Sequence, residues 1–188
     1  MGDIVTMDDL TNQDIVAVLD DAERLVPVAR GDVYLPLLQG KVLANMFFEN
    51  STRTRMSFET AMKRLGGSVL NFTSIGTSVA KGETLYDTMQ MIDGYADVAA
   101  IRHPRQGAAQ YSADAVGIPI LNAGDGAGNH PTQTMLDLFT IRQAHGTLEG
   151  LNVVLVGDLR YGRTVHSLSH ALVRFGAKLT LVSPSTLK

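Results

Sequence analysis

The stretch that decides the fold is Val42-Leu43-Ala44-Asn45-Met46-Phe47-Phe48-Glu49-Asn50-Ser51-Thr52-Arg53-Thr54-Arg55. Its apolar first half predicts a buried strand, and the hydroxyl-rich turn after it precedes a helical pattern. This order aims backbone N–H groups, hydroxyls and guanidinium groups at one point. The stretch therefore predicts a site for a phosphate-like dianion at the end of a strand.

The same alternation of strand and helix continues along the chain. Apolar runs predict strands at 42–48, 68–72, 98–101, 118–121, 153–156 and 179–182. Helical patterns fall near 54–65, 83–95, 107–116, 131–145 and 163–175, and a further helix follows Thr11. Short buried strands that alternate with helices favour an α/β fold, a parallel sheet with helices on both faces.

A second unit is predicted after the seam at 147–150. The first domain would span residues 1–147, and residues 148–188 would be the beginning of a second α/β domain. Two strands and one helix are too few to close a sheet around a core. We therefore expect the second domain to be incomplete in these 188 residues.

The composition narrows the class of protein. A net charge of -3 gives no overall support for nucleic-acid binding, and the absence of cysteine excludes disulfides and thiolate metal sites. No apolar run approaches the roughly 20 residues of a membrane span, and the N-terminus has no signal-peptide pattern. These features predict a soluble, cytoplasmic protein that binds neither nucleic acid nor a membrane.

Unusual polar residues fall at the predicted strand ends, where ligands bind in open α/β sheets. Besides Ser51–Arg55 these are Thr77, Ser78, Lys81, Arg102, His103, Asn129, His130, Gln133, Asp158, Arg163 and Thr164. Cations dominate, so we expect several positive groups and no cluster of acids. Catalysis in such a pocket would rest on positioning and electrostatic stabilisation, with no metal and no cofactor.

Each residue also has a simpler interpretation. Ser51 and Thr52 could only cap a helix, Arg53 and Arg55 could be exposed surface residues, and His130 could be structural. These interpretations do not explain why all the unusual residues cluster at strand ends. The run 157–164 approaches a P-loop, but Arg163 stands where Lys is expected. The glycine-rich run 124–128 is interpreted as a mobile loop that leads to His130.

Four stretches resemble the carbamoyltransferases. The stretch 47–59 is similar to their carbamoyl-phosphate motif. Residues 81–88 with Lys-Gly-Glu, 129–138 with His-Pro, and 157–168 with Tyr-Gly-Arg-Thr resemble the aspartate carbamoyltransferase catalytic chains. The ornithine carbamoyltransferases share the first motif and generally differ in the other three.

The resemblance implies a role for each matched residue. Thr54, Arg102 and His130 would polarise the carbonyl of carbamoyl phosphate, and Gln133 would hold its NH₂ group. Lys81, with Ser78 or Thr77, would reach the site of a neighbouring subunit, so that a homotrimer shares its active sites. Phosphate would bind Ser51, Thr52, Arg53 and Thr54, aspartate would bind Arg163, Thr164 and Lys81, and Arg55 would support the site by pairing within it.

The implied activity is carbamoyl transfer from carbamoyl phosphate to the α-amine of L-aspartate, a step of pyrimidine biosynthesis. A regulatory chain or a dihydroorotase partner would fit the same resemblance. The family's second domain continues well beyond Lys188, so we expect these 188 residues alone to turn over poorly. Two alternatives stay open, an ornithine-type or other carbamoyltransferase and a non-catalytic relative that binds anions.

Overall fold

The computed structural model describes residues 2–73 and 81–187. A four-stranded parallel sheet has the order β2-β1-β3-β4, and a separate two-stranded parallel sheet pairs β5 with β6. The strands are β1 Val42–Phe47, β2 Ser68–Thr73, β3 Val98–His103, β4 Ile120–Asp125, β5 Asn152–Val156 and β6 Lys178–Val182. The predicted parallel α/β fold is therefore confirmed.

Seven α-helices connect or flank these strands in the described ranges. Pro27 lies within the first two positions of a new short helix, which explains why the first helix ends before it. The helices are α1 Asn12–Arg24, α2 Val26–Arg30, α3 Thr52–Arg64, α4 Leu85–Asp93, α5 Ala108–Ala115, α6 Pro131–His145 and α7 Arg163–Arg174. None of them is both long and apolar enough to span a bilayer.

Helices cover both faces of the larger sheet. Alternate residues of a strand face opposite sides, so Ala44 and Leu43 belong to different packing layers. Ala44 packs with Met89 of α4 and with α5, whereas Leu43 packs with Met62 of α3. A third apolar cluster joins Ile15 of α1 and residues of α6 and α7. This cluster fixes α7, which follows β5, against the first sheet unit.

The third and fourth strands differ from the prediction by more than one residue at an end, whereas the other four agree to within one residue. Arg102 and His103 were expected after the third strand, but both lie within it, because Arg102 pairs in register with Phe47. The fourth strand begins at Ile120 and reaches Asp125, which pairs with His103. Polar residues can occupy these strand positions because their side chains have partners at the carboxyl edge of the sheet. The boundary between residues 147 and 148 stays a prediction.

Candidate active site

A cavity of about 850 Å³ opens at the carboxyl edge of the larger sheet, beside the N-termini of α3, α6 and α7. We call it the strand-end cavity. Its lining includes predicted residues from four separate parts of the chain. They are Ser51, Thr52, Arg53, Thr54, Arg102, His130, Gln133, Arg163 and Thr164, with Asn50, Ser57, Phe58, Ala61, Thr132 and Leu136 beside them.

The remaining predicted residues lie elsewhere. Lys81 is exposed in a short turn before α4 and does not line the strand-end cavity. Ser78 and Thr77 lie outside the described residues. Arg55 lines a neighbouring cavity of about 400 Å³ and forms no ion pair with any described residue, so its predicted pairing within the site is not found.

The three helices at the cavity have open N-termini. The backbone of Ser51 adopts the extended conformation of a helix cap, at φ -156° and ψ 100°, yet its hydroxyl makes no capping hydrogen bond within the described chain. His130 before α6 and Gly162 before α7 provide no side-chain cap either, and the first turns of α3, α6 and α7 carry no acid. At α3 no hydrogen bond to a described residue occupies the first backbone N–H groups, so they are available to an anion. At α6 the first residue is Pro131, which has no N–H group, and at α7 the N–H group of Arg163 donates to the carbonyl of Tyr161 at 3.0 Å.

Glu49 lies between the two arginines of the cavity. The Nε atom of Arg102 donates a hydrogen bond of 2.5 Å to Glu49 Oε1, and both terminal nitrogens of Arg163 lie 3.3 Å from the same oxygen. Arg102 also donates to the carbonyl of Ala123 at 3.1 Å. All three charged side chains are largely shielded from solvent. Glu49 therefore fixes two guanidinium groups whose residues are 61 positions apart (163 − 102).

Glu49 has no role in the site predicted from the sequence. The lining is rich in cations, as expected, and Glu49 is the acid that orders two of them. The available signal was its position directly after β1, inside the decisive stretch. Charge alone did not identify it, because Glu and Asp are common in exposed turns.

Gly124 is where the backbone approaches both arginines most closely. Its φ of +116° is a conformation that residues with a side chain rarely adopt. A Cβ atom there would lie 3.1 Å from a terminal nitrogen of Arg102 and 3.1 Å from one of Arg163. Only glycine leaves room for both guanidinium groups at this point of the strand.

The glycine-rich run 124–128 is partly strand. Gly124 and Asp125 belong to β4, so the prediction of a loop is wrong for these two residues. Asp125 is buried, and its carboxylate accepts hydrogen bonds from the backbone N–H groups of Gly107 at 2.7 Å and Asn129 at 2.9 Å. These bonds hold the chain between β4 and α6 and thereby place His130.

His130 is buried and neutral. Burial, followed by the nearby charges of Arg102 and Arg163, lowers the pKa of His130 from 6.5 to about 4, although Asp125 acts in the opposite direction. Its backbone N–H donates to Ser167 Oγ at 3.2 Å, and its Nδ1 lies 3.3 Å from Thr132 Oγ1. A neutral imidazole with such a low pKa is a weak base but can still donate one hydrogen bond.

Gln133 lies one helical turn before Asp137 on α6. Its amide nitrogen Nε2 donates a hydrogen bond of 3.0 Å to Asp137 Oδ1. Burial raises the pKa of the Asp137 carboxyl, and the hydrogen bond from Gln133 opposes this effect. In the described ranges, no cluster of three or more His, Cys, Asp or Glu side chains is arranged to hold a metal ion.

The fold and cavity define a class of protein, an α/β protein whose cavity at the carboxyl edge of the sheet is lined by guanidinium groups and hydrogen-bond donors. Residues 2–143 match the family model of the aspartate/ornithine carbamoyltransferase carbamoyl-P binding domain. The chain belongs to this family.

Similar proteins come from distant organisms. The aspartate carbamoyltransferase catalytic subunit of Archaeoglobus fulgidus is 53% identical over 188 residues, which are all of this chain and 63% of that protein. The catalytic subunit of M. jannaschii aspartate transcarbamoylase is 48% identical with a TM-score of 0.93, over 100% of this chain and 62% of that one.

A third similar structure was solved with ligands. It is the aspartate transcarbamoylase of Trypanosoma cruzi in complex with carbamoyl aspartate and phosphate. It is 45% identical with a TM-score of 0.95, and the match covers 99% of this chain and 61% of that chain. The chain thus spans about three-fifths of the length of the relatives that it matches.

Proposed function

We propose that the full-length protein transfers the carbamoyl group of carbamoyl phosphate to the α-amine of L-aspartate, giving N-carbamoyl-L-aspartate and phosphate. The observation that carries this proposal is the strand-end cavity, where residues of three of the four matched motifs line one volume together with Arg102. Membership of the aspartate/ornithine carbamoyltransferase family and the similarity to aspartate carbamoyltransferase catalytic subunits support the same activity.

The phosphate would bind at the open N-terminus of α3. Ser51, Thr52, Arg53 and Thr54 line the cavity there, and the free hydroxyl of Ser51 adds a donor to the backbone N–H groups. Helix N-termini favour anions through their aligned dipoles and unpaired N–H groups. An adjacent guanidinium adds a charge-assisted hydrogen bond, which is roughly twice as strong as a neutral one.

The carbamoyl carbonyl would lie between Arg102, His130 and Thr54. The neutral amine of aspartate attacks the carbonyl carbon, a C–N bond forms, and the carbonyl oxygen gains negative charge. When the oxyanion collapses, the C–O bond to phosphate breaks and the departing phosphate takes the proton of the amine. His130 acts as a neutral donor in this scheme, because its pKa of about 4 makes it a poor general base.

The substrate carboxylates would meet Arg163 and Thr164 at the open N-terminus of α7. Arg163 is already held against Glu49, so its guanidinium is oriented before aspartate arrives. Pre-positioned charges lower the reorganisation that accompanies binding and reaction. Other parts of a longer chain would complete the aspartate subsite.

The proposal extends to assembly. The exposed position of Lys81 fits a side chain that enters the site of a neighbouring subunit in a homotrimer. Analytical ultracentrifugation of the full-length protein tests the trimer, and restored activity on mixing inactive Lys81→Ala and Arg102→Ala subunits tests the shared site. The domain boundary, the cytoplasmic location and a regulatory or dihydroorotase partner stay predictions.

The deciding experiment is a carbamoyl-transfer assay with the full-length protein. Carbamoyl phosphate is offered with L-aspartate and, separately, with L-ornithine, and the ureido product is measured. Product from aspartate alone supports the proposal, and product from ornithine overturns the assigned amine. Binding of carbamoyl phosphate without transfer to either amine would favour a non-catalytic relative.

A further inference from the structure

The Gln133 amide has one orientation that its surroundings dictate. Its Nε2 atom donates to Asp137 Oδ1 at 3.0 Å, and this is the one hydrogen bond of the Gln133 side chain to any described residue. An ionised carboxylate can only accept hydrogen bonds, so the amide must turn its NH₂ group toward Asp137. The amide oxygen Oε1 is then left without a partner among the described residues, on a residue that lines the strand-end cavity.

An unpaired amide oxygen distinguishes between ligand groups of similar size. It attracts a ligand N–H group and offers nothing to a methyl group of the same size. If the amide turned over, its NH₂ group would instead meet the NH₂ group of a carbamoyl ligand, and two donors would oppose each other. The orientation of this amide can therefore decide whether the cavity prefers a carbamoyl or an acetyl group.

We propose that Asp137 is a positioning residue that fixes the acceptor face of the Gln133 amide and so makes the cavity select carbamoyl phosphate over acetyl phosphate. This inference rests on the proposed function, because it takes carbamoyl phosphate as the ligand, with the carbamoyl NH₂ group beside Gln133. Asp137 itself does not line the cavity and acts only through the amide.

The chain offers a matched control on another helix. Gln110 donates from Nε2 to Asp114 Oδ1 at 2.9 Å, with the same spacing of four residues on α5. Both residues of this pair are exposed, and neither lines the strand-end cavity. Asp114→Asn therefore changes the same kind of pair without reaching the proposed ligand.

The experiment uses full-length wild-type protein, Asp137→Asn and Asp114→Asn. Dissociation constants are measured for carbamoyl phosphate, acetyl phosphate and inorganic phosphate. An asparagine at 137 accepts or donates, so it no longer dictates the amide orientation. We expect Asp137→Asn to weaken carbamoyl phosphate about tenfold, the size of one lost buried hydrogen bond. Acetyl phosphate and inorganic phosphate should bind within twofold of the wild-type values.

The outcomes separate the inference from the proposed function. Equal weakening of all three ligands in Asp137→Asn would mean that Asp137 only maintains the fold, and the inference would fail. Unchanged selectivity would also overturn it. Failure of the wild-type protein to bind carbamoyl phosphate would reject the proposed function itself. Inorganic phosphate serves as the folding check, since it lacks the carbamoyl group and uses the same cavity.

Discussion

The N-termini of α1 and α4 differ from those of α3, α6 and α7. At α1, Thr11 Oγ1 accepts a hydrogen bond from Asp14 N at 3.1 Å, and Asp14 accepts one from Thr11 N at 2.9 Å. At α4, Thr84 Oγ1 accepts from Asp87 N at 3.2 Å. We call these two the capped N-termini. The open N-termini of α3, α6 and α7 have neither a side-chain cap nor an acid in the first turn.

The comparison shows which helices lack the stabilisation that a capping side chain and a nearby acid provide. A capping side chain typically contributes about 1 kcal/mol, and an acid near the N-terminus adds a few tenths more. The capped N-termini have both contributions, whereas the open N-termini lack both and border one cavity. At α3 a bound anion would provide the missing acceptors, so binding and helix stability are coupled there.

The largest expected effect comes from removing a donor at an open N-terminus. His130→Ala should lower the turnover of the full-length protein by about 10²–10³, because the proposed function makes His130 one of the oxyanion donors. His145→Ala, an exposed change at the far end of the same helix, serves as the control and should leave turnover unchanged. Steady-state kinetics measure both, and a His130→Ala rate within twofold of wild type would refute the assigned role.

A second expectation concerns pH. The pKa of His130 is about 4 in the folded protein and about 6.5 when exposed, so between these values only the unfolded chain takes up the proton. Stability is therefore full above pH 6.5 and falls as the pH drops toward 4, by on the order of 3 kcal/mol.

Urea unfolding of the full-length protein at pH 7 and pH 5 measures about 2 kcal/mol of this loss, because pH 5 lies only about 1.5 units below 6.5. His130→Gln should flatten the dependence, although His103, whose pKa burial also lowers, would retain part of it. At the capped N-terminus of α1, the hydrogen bonds from Thr11 lower the pKa of the exposed acid Asp14. Its contribution to stability is therefore lost at a lower pH than that of His130, as the pH falls through the lowered pKa of the acid. A pH dependence that is equally steep in His130→Gln would contradict the buried neutral state.

The third test adds an acidic capping residue to the open N-terminus of α3. Thr54→Glu would create the Ser-x-x-Glu pattern of a capping box at α3. The new carboxylate competes for the N–H groups and repels phosphate, so the dissociation constant of inorganic phosphate should rise at least tenfold, or about 1.4 kcal/mol. Thr60→Glu adds the same charge on the exposed side of α3 and should change it less than threefold. Calorimetric titration of both variants decides the comparison.

The smallest effects are expected from two substitutions with opposite consequences, one at a capped N-terminus and one at an open N-terminus. Thr11→Ala removes a cap and should lower the free energy of unfolding by about 1 kcal/mol, while phosphate binding stays unchanged. Ser51→Ala removes a hydroxyl that caps nothing, so stability should change by less than about 0.5 kcal/mol while phosphate binding weakens. If both substitutions had the same pattern of effects, the distinction between open and capped N-termini would be wrong.

Much of the fold could be predicted because its signals are local. Apolar runs predicted every strand of the described ranges, and the helix predicted after Thr11 is α1. The helix predicted near 54–65 is α3, which ends shortly before Gly66, whose φ of +83° is a conformation that residues with a side chain rarely adopt. The strand ends at His103 and Asp125 were less predictable, because pairing with a neighbouring strand rather than local preference extends those strands.

The residue types at the strand ends, and the prediction of an anion site there, came from the sequence alone, because the order of strand, turn and helix is encoded locally. Only the tertiary structure decided how those residues interact. Glu49 meets Arg163 across 114 positions of chain, and both arginines contribute to the low pKa of His130. Such contacts depend on how the elements pack, and burial then strengthens the charge effects that exposed residues lose to water.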